Sequence, residues 1–222
     1  MSSTSYILPD FGSLTPDQIS KINNNSIVVK HNKGEIIFSQ EKPISYLMFL
    51  SSGLIKMYKE VQDKKYLILK IVGPGNYIGL FSVFHGSRYD FFAAAIEDSE
   101  LVYINIMVFI EILNENGRFA VQLMQQFSNE GIDLLNKLVY FPQKQVPGRI
   151  AEVLCFFSSE IYNDIHFTLP LSRQELADLV YSTKESVSRT LTEFKNDRMI
   201  DIEDRKISLK SIDLLRILCK LG

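Results

Sequence analysis

Seven residues, Ala120, Met124, Phe127, Gly131, Leu134, Leu138 and Phe141, recur at alternating steps of four and three. That a/d spacing is the mark of a helix burying one seam against another helix. At 1.5 Å per residue the seam runs for about 32 Å. It can pack on its own domain or on a second copy of the chain. Three heptads, with Gly131 allowing two backbones to come close, favour the self-dimer, and Met124, Phe127, Gly131, Leu134 and Leu138 are its candidate interface. The seam ends at "FPQKQVPGR". Pro142 and Pro147 each lack an amide hydrogen and restrict the residue before them, so a helix does not pass through both undistorted. An interdomain hinge is expected here.

Upstream, "SIVVKH", "EIIFS", "YLMFLS", "GLIKMYKE", "KYLILKIV" and "ELVYINI" are short, β-branched and aromatic, and separated by turns. Gly34, Gly53, Gly73, Gly75 and Gly79 fall at those turns, where positive φ is often required. The spacing predicts a small antiparallel barrel or roll with no clear helical interruption. Downstream of the prolines, "GRIAEVLCFFSSEI" is expected to be helical, with Ile150, Val153, Leu154 and Phe157 on one face. The chain thus divides into residues 1–110, a β-rich domain, 111–144, a long helix with hinge, and 145–222.

In the last segment, Ser172 and Glu175 form a capping box for a short helix with Leu176, Leu179 and Val180 on its apolar face. Ser182 or Thr183 then caps a second helix. In it Val187, Leu191 and Phe194 point one way, and Glu185, Ser188, Arg189 and Thr192 the other. Two short helices, a tight turn and a polar outer face match a helix-turn-helix. "MIDIE" and "KISLK", joined by "DR", supply a wing. On such a face Arg189 can bond guanine O6 and N7, Glu185 can accept from cytosine N4, and Ser188 can bond a base or a phosphate. Lys184, Lys195 and Arg198 can neutralise phosphates. A plainer reading makes Glu185 the capping partner of Ser182 and Arg189 its ion-pair mate at i+4. Spacing alone does not choose between them.

Charge weighs against a generally basic surface. The 222-residue chain has net charge −2, and residues 149–222 hold 11 Lys+Arg against 12 Asp+Glu. A nucleic-acid surface must therefore be a local patch. No Ser/His/Asp constellation, phosphate-cradling glycine loop or metal cluster is visible, and the three histidines are scattered, so an enzyme is not expected. "GPGNYIG" is better explained by β-turns. No apolar run reaches the roughly 20 residues of a membrane span and the start lacks a signal-peptide core, so a cytoplasmic protein without membrane contact is expected. Cys155 and Cys219 have no metal-ligand spacing and suit a reducing compartment. Cys155 is expected in a core, and Cys219 without a resolving partner.

Over nearly its whole length the sequence resembles the Crp/Fnr family of bacterial transcription regulators. "KGEIIFSQ...YLMFLSSGLIKMYK" is similar to the family's cyclic-nucleotide-binding-type β-roll, "VPGRIAEVL" to its hinge and first DNA-domain helix, and "LSRQELADLV" with "TKESVSRTLTEF" to its helix-turn-helix. The resemblance implies an α+β fold: an N-terminal double-stranded β-roll, a long dimerisation helix and a C-terminal winged helix-turn-helix. It implies a homodimer on a palindromic operator in double-stranded DNA, working with RNA polymerase. "E-S-V-S-R" matches the Fnr branch, whose members read TTGA-type half-sites, with Arg189 on the guanine and Glu185 on a cytosine. Ser172, Arg173, Thr183, Lys184, Thr192 and Lys195 are the expected backbone contacts.

The sensor departs from the family pattern. Cyclic AMP binders carry Glu after Gly for the ribose and Arg-Ser for the phosphate. Here Leu80 follows Gly79, Tyr89 and Asp90 stand where Arg-Ser would, and Leu134 and Leu135 replace hydroxyls that face the base. Asp90 would repel a phosphate. Cyclic AMP is therefore not expected. An Fnr-type iron–sulfur cluster needs four thiolates, and this chain has two. Haem remains open through His85 alone. An unidentified small effector near Gly79, Leu80, Phe81, Arg88, Tyr89, Leu134 and Leu135 is the remaining expectation. The opposing reading is a ligand-binding or scaffold module whose C-terminal domain contacts protein. Activator or repressor, target genes, the effector and the full operator are not readable from the residues.

Overall fold

A computed structural model describes residues 13–61 and 65–221. The chain forms two compact units, one up to Glu130 and the other from Gly131 onward. Among the described residues no helix is long and apolar enough to cross a membrane.

The first unit opens with helix α1 (Pro16–Asn24), which sequence reading missed although its signal was present. Thr15 and Gln18 make a reciprocal capping box, and Pro16 occupies the first turn. Two four-stranded antiparallel sheets follow. One orders β1 (Ser26–His31), β8 (Ser99–Asn105), β3 (Tyr46–Ser52) and β6 (Tyr77–Ile78). The other orders β2 (Ile36–Phe38), β7 (Phe92–Ala95), β4 (Ile55–Glu60) and β5 (Tyr66–Val72). The expected roll is present. The two strands missing from the sequence reading are β6 and β7.

Strand β3 shows how the roll closes. Leu47 and Phe49 face a core built with Tyr77, Val102, Ile104 and Phe109. Met48 and Leu50 face a second core with Phe38, Ile55, Tyr89 and Leu101. A strand covered on both faces cannot alternate polar and apolar residues, which is why this one reads as the continuous run "YLMFL". The pairing of β3 with β8 places Leu47 opposite Ile104 and Phe49 opposite Val102.

Helix α2 (Leu80–His85) interrupts the strand series, contrary to the expectation of an uninterrupted roll. Of the five turn glycines, Gly34, Gly53, Gly75 and Gly79 have positive φ and Gly73 does not. After β8 the helical region is two helices, α3 (Ile106–Glu115) and α4 (Gly117–Tyr140). The break has a local cause. Asn116 accepts a hydrogen bond from the Phe119 amide at 3.0 Å and so starts a new helix. Phe119 and Leu123 bury the start of α4 in the first unit.

The second unit begins with the end of α4. A 3₁₀ turn (Phe141–Gln143) follows, then α5 (Val146–Phe156), with Pro147 in its first turn. Ile150, Val153, Leu154 and Phe157 are buried as expected. A π-helical turn (Phe157–Tyr162) ends that segment. Strand β9 (His166–Thr168) was not foreseen; it pairs with β11 (Lys206–Leu209), which also pairs with β10 (Ile200–Glu203). Helices α6 (Arg173–Leu179), α7 (Lys184–Asn196) and α8 (Ile212–Leu221) complete the unit. Cys219 on α8 does have a thiol partner, because α8 packs along α5 and brings its sulfur within 3.9 Å of Cys155.

Candidate nucleic-acid interface

Helix α6 starts where the sequence says it should. Ser172 accepts from the Glu175 amide at 3.2 Å, and the Glu175 carboxylate accepts from the Ser172 amide at 2.8 Å. Ser172→Ala removes one arm of this box and is expected to cost about 1 kcal/mol in urea unfolding of the full chain. An unchanged midpoint would mean the box does not set stability.

The turn into α7 passes through Tyr181, whose φ is 52°. Thr183, not Ser182, caps α7, accepting from the Ser186 amide at 3.2 Å. Val187, Thr190, Leu191 and Phe194 are buried beneath the helix. Glu185, Arg189, Thr192, Lys184 and Lys195 are exposed, and Ser188 is half-buried. Both parts of the plainer reading fail on geometry. Glu185 is not a capping partner, since the third helical position is Ser186. Arg189 faces Glu193 at 3.9 Å, one turn further on, with its side chain 73% exposed. A pair so open to water leaves the guanidinium available.

The other candidate contacts are distributed unevenly. Thr192 donates to the Ser188 carbonyl at 2.9 Å. Lys195 leans onto the wing, donating to the Ile202 carbonyl at 3.0 Å and lying 3.9 Å from Asp201. Arg173 donates to the Asp204 carbonyl in the wing turn at 3.1 Å; burial lowers its pKa, which Asp204 offsets. Leu171, Ser172 and Arg173 line one side of a groove whose other side is Ile202, Asp204 and Arg205. Arg198 is exposed at a positive φ of 56°.

One residue that sequence reading passed over holds the turn in place. Arg149 on α5 donates to the carbonyls of Val180 at 2.7 Å and Tyr181 at 3.2 Å. Its guanidinium lies over the Phe141 ring at 5.6 Å, and that ring meets Tyr181 edge-on at 5.4 Å. Lys137 sits over both rings, and burial lowers its pKa. The signal was the Arg of "VPGR", a cation in the first turn of a helix; Glu152, three residues on, pairs with Lys144 at 2.7 Å instead. Phe141 is buried in this cluster and so leaves the expected seam.

The remaining seam positions also divide. Phe127 packs against Phe81 at 4.6 Å, inside the first unit. Met124, Leu134 and Leu138 are exposed, Gly131 is half-buried, and a Cβ added to Gly131 would meet nothing within 4 Å.

In the roll, the candidate effector residues do not form one polar site. Gly79 adopts φ 82° at the start of α2, and a Cβ there would come 3.1 Å from Tyr89. Leu80 and Tyr89 are buried. The Tyr89 ring stacks on Phe38 at 3.9 Å and its hydroxyl donates to the Tyr46 carbonyl at 3.0 Å. Burial pushes its pKa well above the ordinary phenol range. Arg88 is exposed and donates to the Glu41 carbonyl. Leu134 and Leu135 lie on the exposed part of α4 in the second unit. His85 is exposed at the end of α2. Among the described residues no group of three or more His, Cys, Asp or Glu is arranged to hold a metal ion.

Two family signatures cover most of the chain: "Cyclic nucleotide-binding domain" matches residues 28–116 and "Crp-like helix-turn-helix domain" matches residues 148–218. The chain belongs to the Crp/Fnr family of transcription regulators. Its C-terminal unit is the family's DNA-binding helix-turn-helix. Among curated relatives, the CRP-like cAMP-activated global transcriptional regulator of Mycobacterium tuberculosis is 22% identical over 92% of this chain and 93% of its own length. The anaerobic regulatory protein of Bacillus subtilis is 26% identical over 91% and 88%. The fold matches that of FixK2 from Bradyrhizobium japonicum, with TM-score 0.79 and 22% identity over 87% of this chain and 96% of that one. The two curated relatives are regulators by name.

Proposed function

We propose that this Crp/Fnr regulator acts as a homodimer that reads a palindromic, TTGA-like operator through Glu185, Ser188 and Arg189. The observation that carries the reading is the outer face of α7. There Glu185 and Arg189 are exposed, while Val187, Thr190, Leu191 and Phe194 are buried on the other face. Arg189 bonds the guanine edge, Glu185 accepts from a cytosine, and Ser188 permits close approach. Ser172, Arg173, Thr183, Lys184, Thr192 and Lys195 hold the phosphates on either side. The exposed stripe of α4 pairs two copies within the middle segment, residues 111–144, and RNA polymerase is the downstream partner. The roll, residues 1–110, takes an unidentified effector other than cyclic AMP; the buried Tyr89 ring, which the family resemblance aligns with the phosphate-binding pair, supports this. The protein works in the cytoplasm on double-stranded DNA, and no enzymatic step is assigned to it.

The test is a mobility shift with a TTGA-containing palindrome at several salt concentrations. Arg189→Ala is expected to reduce discrimination at the guanine by roughly 1–3 kcal/mol while retaining binding to other sequences. Uniform weakening on every sequence would make Arg189 a phosphate contact. An absence of salt-dependent binding to any duplex would favour a C-terminal unit that contacts protein.

A further inference from the structure

The DNA-reading face leaves one reactive pair unused. Cys155 on α5 and Cys219 on α8 are 64 positions apart, and their sulfurs stand 3.9 Å from each other. They are the two cysteines of the whole chain. Both are partly exposed, so a small oxidant reaches them. The packing of α8 along α5 makes them neighbours, with no loop excursion needed. A disulfide needs a sulfur separation near 2.05 Å, so the remaining approach of about 2 Å is on the scale of a side-chain rotation.

We propose that Cys155 and Cys219 are an oxidation-sensitive dithiol that closes to an intramolecular disulfide, stapling α8 to α5, when the protein meets a peroxide. Cys155 is the attacking sulfur. The hydrogen bond from the Cys219 S–H lowers its pKa, burial opposes this, and Arg216 lowers it further. The same hydrogen bond raises the pKa of Cys219, which stays protonated as the resolving thiol. The Cys155 thiolate attacks one peroxide oxygen and the O–O bond breaks. Cys155 becomes a sulfenic acid, and the expelled hydroxide takes a proton to become water. Cys219 then attacks the sulfenic sulfur and gives up its proton to the departing hydroxide. The S–S bond forms, the S–O bond breaks, and a second water leaves. Two thiols have supplied the two electrons that reduce the peroxide.

The full-length protein is treated with hydrogen peroxide, blocked with iodoacetamide and weighed intact. The expected product is lighter by about 2 Da, carries no alkyl group and is restored by dithiothreitol. A peptide map joins the Cys155 and Cys219 segments, and the oxidised protein melts roughly 10 °C higher than the reduced one. In Cys219→Ser the sulfenic acid has no resolving thiol, so Cys155 gains about 32–48 Da of oxygen. Two alkylated thiols in peroxide-treated wild type, over-oxidation of wild type, or covalent joining of separate chains would each overturn the proposal. The wild-type mass alone decides closure, so a poorly folding variant does not obscure the result.

Discussion

Gly53→Ala is expected to destabilise the first unit by about 3 kcal/mol or more in urea unfolding, with an insoluble product as the extreme outcome. Two costs add at this site. Gly53 has φ +87°, where an L side chain is strained whatever space surrounds it. The space is also absent: an added Cβ would lie 2.3 Å from Ser99 Oγ, 2.4 Å from Asp98 O and 2.6 Å from Ser99 Cα. The last two neighbours are backbone and cannot swing away. The turn matters because Leu54 beside it accepts from the Ile96 amide at 2.8 Å, tying the β3–β4 connection to the chain between β7 and β8. Gly34→Ala is the control. Its φ is +91° and nothing lies within 4 Å of the added carbon, so about 1 kcal/mol of backbone strain is expected alone. Equal losses at the two positions would show that close approach is not what Gly53 serves.

The double substitution Leu134→Glu with Leu138→Glu is expected to yield a folded monomer whose operator affinity falls at least about 100-fold. In the single chain these leucines are 49% and 64% exposed, so neither supports the fold of its own unit to any large degree. Their substitution should change unfolding stability by less than about 0.5 kcal/mol. In the proposed dimer the same positions meet across a two-fold axis. Burying a leucine is worth about 1.5–3 kcal/mol, and four half-exposed ones contribute roughly 3–6 kcal/mol. Four carboxylates in their place must also lose water beside one another. Sedimentation at micromolar concentration reads the assembly, and a mobility shift on the full palindrome reads the consequence. A variant that still sediments as a dimer would place the interface elsewhere than on this stripe.

Some of the molecule was legible because its physics is local. Ser172 and Glu175 announce a helix start by residue type and spacing, and the box forms as read. The outer face of α7 followed from a helical period with Val187, Leu191 and Phe194 in register. The strands of the roll that carry β-branched and aromatic runs were placed to within a residue or two. The pieces that were missed depend on partners distant in sequence. "FAAA" carries little strand preference of its own. It becomes β7 because β2 and β4 take up its backbone on both sides, and its small side chains fit a thin layer beside Phe38. Strand β6 is two residues long and exists through its pairing with Met48 and Phe49. The segment 111–144 read as one long helix because periodicity does not register a capping Asn, and Asn116 ends α3 and starts α4 ahead of the seam.

By itself the sequence determined the order of parts: a β-roll, a helix with a repeating apolar seam, and a winged helix-turn-helix with a polar outer face. It did so because burial patterns and helix caps act over a few residues. Only tertiary structure decided which seam residues stay exposed, that Arg149 holds the turn before α7, that Tyr89 is buried against Phe38, and that two cysteines 64 positions apart meet. Each of those depends on which surfaces of distant segments come into contact, and a distance across the fold is not a property of any stretch of chain.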